Sequence, residues 1–485
     1  MNKLAFRAGI KKGLIKTGVF CACILGAAFH FSSEISTVNA EDYVEINGEN
    51  FPNNGFRYMV KAKYDADDDD RLSEAERNAV TSMSISYTDQ YDPEDPDVIS
   101  MMAYTNLKGI EFFTQLESLE MSATLIQTID LSENQKLKRL SCDGLNWLSE
   151  VDVSGNAELE YLKLPTYHNN LMTLDVSNNT SLDRLTCNNN QLTELDVTHN
   201  TALTYLYCDN NKLTELDITN NTALTTLECY NNQLTALDVS KNTALYRLDC
   251  DNNQLTALDV SKNTALTVLF CDNNRLTALD VSKNTALTTL NCSSNQLTAL
   301  DVSKNTALEY LDCYDNQLTA LDVSNNTALT ALRCYDNQLT ALDVSNNTAL
   351  TELFCYSNDL TALDVSNNTD LTGLYCENNQ LTELDVSKNT ALTELNCHDN
   401  ELTEIDVSNN TALTVFDCGG TRLTALDVSK NTALTRLYCE DNQLTALDVS
   451  KNTALTKLGC YSQDILASSI NLTGSSEYQI GRAHV

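Results

Sequence analysis

Apolar residues recur along most of this chain in a two-part rhythm. In residues 287–307, LTTLNCSSNQLTALDVSKNTA, the run Leu287-x-x-Leu290-x-Cys292-x-x-Asn295 is followed, ten residues on, by Leu297-x-x-Leu300-x-Val302-x-x-Asn305. Within each half the last two apolar residues lie two apart, which is strand spacing, with alternate side chains on one face. An Asn at a fixed place after each apolar pair suits a turn, because its carboxamide satisfies backbone groups there. No ten-residue stretch of the unit carries helical periodicity. Each unit therefore reads as one coil of two short strands and two turns. Leu287, Leu290, Cys292, Leu297, Leu300 and Val302 point inward, each worth about 1.5–3 kcal/mol when buried. A single coil cannot bury that face, whereas stacked coils can.

Cysteines mark the period. From Cys187 to Cys460 they recur every 21 residues. Counting outward gives 17 coils, centred on Met121, Cys142, Leu164 and the fourteen cysteines from Cys187 onward. Coils stacked as strands in a sheet lie about 4.8 Å apart, so the array spans roughly 80 Å. A solenoid grows along one axis, so 485 residues need not mean several domains. The early coils are irregular: Cys142 and Cys187 are 45 residues apart where two periods give 42. The extra residues fall near Trp147 and between Leu164 and Leu171, in a zone that also holds Tyr161, Tyr167 and His168.

The segment L-x-x-L-x-C-x-x-N-x-L, repeated over about residues 115–463, resembles the leucine-rich-repeat signature with Cys in the third Leu place. It is most similar to the short, 21-residue class found in secreted bacterial proteins of the internalin type. The resemblance implies a β-rich leucine-rich-repeat solenoid that binds rather than catalyses. Leu107-Lys-Gly109-Ile110-Glu-Phe112-Phe113 resembles the N-terminal cap of such proteins, which shields the first open coil.

The flanks have a different character. Residues 1–40 read as a secretory signal peptide: five basic residues, Lys3, Arg7, Lys11, Lys12 and Lys16, precede an apolar run from Gly18 to Phe31, and Val38-Asn39-Ala40 offers a cleavage site. A secreted or cell-surface protein is expected. With Glu34 the leader carries a net +4, so its removal takes the formal charge from −36 to −40. So acidic a chain does not hold nucleic acid or anionic lipid through its general field, and it favours divalent cations.

In residues 41–85, Phe56, Met59, Val60 and Tyr64 stand at helical spacing ahead of Asp65-Ala-Asp67-Asp-Asp69-Asp70-Arg71-Leu72-Ser73-Glu74-Ala75-Glu76. That run matches a calcium loop of the EF-hand type. Asp65, Asp67, Asp69, Ser73 and Glu76 would supply side chains or a bridging water, and Arg71 its carbonyl. Asp70 occupies loop position 6, where a sharp turn needs positive φ and Gly is usual. A structural Ca²⁺ is therefore expected. The alternative is an acidic loop in which Ser73 and Glu76 form a capping box.

Residues 86–114 form the expected cap and 464–479 the start of a further region. The last six residues, Ile480-Gly-Arg-Ala-His-Val485, match the translation of a sequencing adapter, so the natural chain is expected to continue.

Three columns of the array bear on function. Fifteen inward cysteines, Cys142 and Cys187 through Cys460, would point in parallel, which is poor disulfide geometry, so they read as a ladder of buried thiols. One Asp per coil, Asp175 through Asp448, would repel its neighbours unless local N–H groups or bound calcium offset the charge. Catalysis finds no support: His168, His199 and His398 are coils apart, and no nucleophile or phosphate-binding motif appears.

Variation within the chain concentrates at three places: three before, one before and one after each Cys. These are the outward residues of the strand, on the side expected to be concave. They hold a dense group over four coils, Tyr310, Tyr314, Arg333, Tyr335, Phe354, Tyr356 and Tyr375, with Asp249, Asp251, Asp272 and Asp312 on its N-terminal side. Tyr, Phe and Arg dominate interface energies, so this group is the candidate binding surface for a surface protein or a glycan, in a chain expected to be monomeric. The competing explanation is cross-strand stacking of strand-favouring aromatics. A spacer holding a further C-terminal domain, or the non-catalytic part of a longer enzyme, are the alternative functions.

Overall fold

A computed structural model describes residues 42–86, 104–122, 125–143, 147–164, 170–461 and 470–471. The leader, the tail beyond 471, and Tyr167 with His168 lie outside the described residues.

The chain from Tyr43 onward opens with strand β1 (Tyr43–Glu45), helix α1 (Asn54–Tyr64), strand β2 (Arg71–Ser73) and helix α2 (Glu74–Ala79). Asn53 caps α1 by accepting from Phe56 N at 2.8 Å, and Phe56, Met59 and Val60 turn inward. Antiparallel pairing of β1 with β2 holds the acidic loop between α1 and α2. Phe51 packs on Phe56 and on Phe112 of the cap, with ring centroids 5.9 and 5.8 Å apart, so segment and cap share one core. Gly109 makes that junction possible. Its φ is 106°, and a Cβ there would sit 2.2 Å from the Phe51 ring.

The solenoid sheet begins one strand before the repeat signature does. β3 (Ser82–Ser86) pairs in parallel with β4 (Ser118–Ser122), Met83 opposite Leu119. From there each coil adds one strand, ending at Lys457–Gly459. Eighteen strands pair in chain order, seventeen of them from the repeats, joined by sixteen returns. Among the described residues no pairing joins Lys457–Gly459 back to β3, so the sheet is an open ribbon. From Arg184 onward the register is one period, as in Leu290 opposite Leu311, while the early strands pair at 22 and 23 residues, Arg139 with Tyr161 and Tyr161 with Arg184.

All six inward residues are buried as expected: Leu287, Leu290, Cys292, Leu297 and Val302 fully, and Leu300 to 7 % exposure. The second half of the coil differs from the expectation of a second strand. Among the described residues it forms strands only at Thr128–Asp130 with Glu150–Asp152 and at Leu447–Asp448 with Ile470–Asn471. Elsewhere it crosses between coils through one backbone bond, as from Gln296 N to Leu276 O at 2.9 Å, and through side chains.

Those side chains are asparagines. Asn305, fully buried, donates from Nδ2 to Val281 O at 3.0 Å and Asn284 O at 2.9 Å in the preceding coil. Asn295 donates to Cys271 O and Cys292 O, and its Oδ1 accepts from Leu276 N at 2.9 Å. The turn that aims Asn295 needs positive φ two residues after each Cys. Asn, Asp, Ser or Gly stands there in every regular coil, with Ser294 at 48° and Gly420 at 59°.

Candidate binding face and calcium loop

The fifteen cysteines are free and buried. Burial pushes the Cys334 thiol up to about 12, so the column is chemically quiet apolar filling. The Asp column is settled by local bonds: Asp301 Oδ1 accepts from Ser303 N at 2.9 Å, and the Ser303 hydroxyl and amide hold that carboxyl below its ordinary range. A groove on this side, lined by Leu174, Asp175, Leu195 and Asp196, repeats the same residues coil after coil and offers nothing to distinguish one ligand from another.

The strand face is different. Tyr314, Tyr335 and Tyr356, one residue after successive cysteines, form a continuous stack with centroids 4.3 and 4.2 Å apart and planes within 14°. A second column one residue before the cysteines runs Arg333, Phe354, Tyr375. Phe354 and Tyr375 stack at 4.3 Å, while the Arg333 guanidinium lies 5.1 Å from the Phe354 centroid and 5.0 Å from that of Tyr310. Tyr310 Oη donates to Asp312 Oδ2 at 2.7 Å, and Tyr375 Oη to Glu394 Oε2 at 2.6 Å. Arg333 also pairs with Asp312 and Glu352, at 3.6 and 3.4 Å. All seven sequence-selected residues thus share one half-buried surface, six of them in two adjacent columns and Tyr310 beside these against Arg333, rather than as seven separate anchors. Burial, then the bond with Tyr356, pushes the Tyr335 hydroxyl up. Trp147 stands alone and exposed, well away in the early coils.

Carboxylates frame the columns. Asp249, Asp272 and Asp312 are 7, 7 and 5 % exposed. Burial, then the charge of Asp272, pushes Asp312 up to about 7. Glu377, on the other flank, is likewise pushed up to about 7 by burial. Glu352 and Glu394 stand three residues before a Cys, as Tyr310 does, and Glu377 one after, in the column of Tyr314, Tyr335 and Tyr356. Reading each column through every coil, rather than for aromatics alone, would have singled them out.

In the N-terminal loop, one carboxylate oxygen each from Asp65, Asp67 and Glu76 falls within 4.8 Å of the others, the one such convergence among the described residues. Asp70 takes φ 63°, the conformation the loop position demands. Asp67 is pushed up by desolvation and by the charges of Asp69, Glu76 and Asp65. Of the remaining expected ligands, Asp69 Oδ1 accepts from Arg71 N and the Ser73 hydroxyl donates to Glu76 Oε2; Arg71, whose carbonyl was the expected ligand, lays its guanidinium over Tyr43 at 4.3 Å. The Ser73–Glu76 capping box is present as well, so the cap and the acidic convergence coexist. The donor set, hard oxygens in a loop that turns through positive φ at Asp68 and Asp70, fits Ca²⁺.

No described helix is long and apolar enough to cross a membrane. A family model described as the LVIVD repeat matches residues 334–358, little more than one coil. No curated protein matches the chain. Among solved structures, the functional domain of InlJ from Listeria monocytogenes, which includes a cysteine ladder, is 35 % identical over 88 % of this chain and 77 % of that one, with a TM-score of 0.57. A leucine-rich-repeat protein of Leptospira interrogans is 21 % identical over 82 and 93 % of the two chains, TM-score 0.60. YopM from Yersinia enterocolitica is 22 % identical over 75 and 86 %, TM-score 0.55. The last two likenesses are of fold alone.

Proposed function

This chain belongs to the internalin-type leucine-rich-repeat proteins, and from that premise we propose that it is a non-enzymatic, secreted or surface-displayed binding protein whose strand face recognises a partner protein. One observation carries the reading: the variable positions of the array gather into two stacked aromatic columns on a single face. Stacking also favours protein over glycan. A sugar ring needs a free aromatic face, whereas here each interior ring is covered on both sides by its neighbours and offers its edge and hydroxyl. Pre-stacked rings lose little side-chain entropy on binding, so such a surface suits tight recognition. A spacer would have no use for this clustering.

The test is a binding screen of the protein against surface proteins and a glycan array, beside Tyr335→Ala with Tyr356→Ala. A protein partner lost in the double variant is the expected result. Partners captured equally by both forms would remove the strand face from the function.

A structural Ca²⁺ in the N-terminal loop is the second element of the proposal, supported by the convergence of Asp65, Asp67 and Glu76. When bound, the ion would neutralise these carboxylates and stiffen the junction between α1 and α2. Calorimetric titration of the full chain should show one site with a Kd of about 0.1–1 mM, as extracellular loops of this type have. It should be absent in Asp67→Asn with Glu76→Gln, and no calcium heat in the unsubstituted protein would refute it.

A further inference from the structure

The acids beside the aromatic columns are short of donors. Asp249 Oδ1, Asp251 Oδ1 and Asp312 Oδ1 are buried, and none finds a hydrogen-bond donor among the described residues. The opposite oxygens are occupied where a cation is at hand: Asp249 Oδ2 pairs with Arg247 at 3.2 Å and Asp312 Oδ2 lies 3.6 Å from Arg333. Arg247 is itself shared with Glu228 at 2.9 Å. Two guanidinium groups therefore serve Glu228, Asp249 and Asp312, while Asp251 Oδ2 and Asp272 Oδ2 accept only from the neutral amides of Asn252 and Asn273, at 3.0 and 2.8 Å. A buried carboxylate oxygen with no donor is costly, and native folds keep such groups paired.

The layout decides what could supply the missing positive charge. A chelated metal ion needs three or more oxygens converging on one point, and among the described residues only Asp65, Asp67 and Glu76 do so. The strand-face acids instead follow the 21-residue register, spread over successive strands about 4.8 Å apart. From Asp249 to Tyr356 there are five such steps, roughly 24 Å, the reach of about seven residues of extended peptide. Resting on the reading of the strand face as the binding face, we propose that it receives a lysine- or arginine-bearing segment of the partner, laid across the strands. Its cations would sit over Asp249, Asp251 and Asp312, and its next residues against the Tyr314–Tyr335–Tyr356 stack.

A consequence separates this from general attraction to an acidic chain. Asp249 and Asp251 flank Cys250 within hydrogen-bond reach of each other, so a proton on Asp249 is the donor they share; burial pushes both carboxyls up, with Asp251 and Glu228 acting on Asp249 against Arg247, and Asp272 and Asp209 acting on Asp251. Asp312 is raised likewise, with Asp272, Tyr310 and Arg333 as its charged and titratable neighbours. Burial thus favours the protonated form of these groups more than that of an exposed carboxyl. A cation within about 4–6 Å favours the ionised carboxylate without touching the buried oxygen. Binding therefore releases protons and strengthens as pH rises from about 5 to 8.

The experiment is calorimetric titration of the full chain with an eight-residue oligolysine at pH 7, in phosphate and in Tris, whose ionisation heats differ. Asp249→Asn with Asp312→Asn is compared with the charge-matched Glu215→Gln with Glu383→Gln on exposed positions. Thermal melts confirm that both variants fold. The expected result is net proton release by the parent protein, about tenfold weaker binding in the Asp pair, and a change under twofold in the Glu pair. Equal losses in both pairs, binding without proton release, or no binding at all would each overturn the inference. A protein partner still lost in Tyr335→Ala, Tyr356→Ala would then leave the binding face standing without its cationic ligand.

Discussion

Replacing Asn347 tests whether asparagine staples, rather than strand bonds alone, hold successive coils together. Asn347 is fully buried, and its Nδ2 donates to Val323 O and Asn326 O, each at 2.9 Å. Asn347→Ala leaves two buried carbonyls without that donor, at about 1–3 kcal/mol each, and relieves one cost of similar size, because Asn347 Oδ1 itself has no donor. The net loss is about 2 kcal/mol. Asn347→Asp keeps the shape but sets a carboxylate against two carbonyls, so the group must stay protonated. Its folded pKa then lies above the unfolded value of about 3.9, so below that pH the cost is limited to the one carbonyl its single O–H cannot serve, and further stability is lost as pH rises toward the folded pKa. At pH 7 the added cost is about 4 kcal/mol. Each coil carries its own reporter, a buried thiol. Labelling of the native protein, resolved by mass spectrometry, should speed up at Cys313 and Cys334, in the two coils that this staple joins, by about 30-fold in Asn347→Ala, since a tenfold change is about 1.4 kcal/mol. In Asn347→Asp the labelling should be faster still, and faster at pH 8 than at pH 5 relative to the parent. Because a solenoid couples only neighbours, Cys208 should hardly change. Asp behaving like Ala at both pH values would refute the staple argument, as would equal acceleration along the whole array.

Three further outcomes follow from the same geometry. In the native state the thiols from Cys142 to Cys439 should resist labelling at pH 8 and should all react after unfolding; rapid native reaction at mid-array would contradict their burial. Asp312, raised to about 7, destabilises the fold increasingly as pH climbs from about 4 to 7, so Asp312→Asn should raise the melting temperature at pH 8 and leave it nearly unchanged at pH 4. Tyr335→Ala removes one ring from between two others at 4.3 and 4.2 Å, and should cost about 1–3 kcal/mol in urea unfolding, against about half that for the stack-end Tyr356→Ala.

The period, the six inward residues and the thiol ladder were legible in the sequence, because burial repeats with the chain and every coil votes on the same positions. The bonds between coils were not. Asn295 and Asn305 read as turn residues, which they are, but their carboxamides reach into the coil 21 residues earlier, a distance no local pattern reports. The expected second strand failed for the same reason: Leu300 and Val302 alternate as strand residues do, yet the staples take the place of a ladder there. For the aromatic columns, the spacing of 21 says which rings are neighbours. Only the structure shows that they stack instead of facing outward.

The coil that breaks the pattern puts this account to its sharpest test. At Cys418-Gly419-Gly420-Thr421 the staple Asn is replaced by Thr. The Thr421 hydroxyl lies 2.9 Å from Cys418 O and 2.6 Å from Asn442 Oδ1, but its single proton serves only one of them. Elsewhere this position donates to the Cys carbonyl of the preceding coil and accepts from a leucine N–H, as Asn400 does with Cys376 O and Leu381 N. Thr421 is too short for both. The joint between the coils of Cys397 and Cys418 should therefore be the first to open. Thr421→Asn should restore the missing bonds, strengthening the joint by about 1–2 kcal/mol and slowing labelling of Cys397 and Cys418 by about tenfold, with no change at Cys208. If those two thiols already label no faster than their neighbours, or if the Asn variant leaves them unmoved, the coils are held by strand pairing and burial alone, and the asparagine column is a turn signal after all.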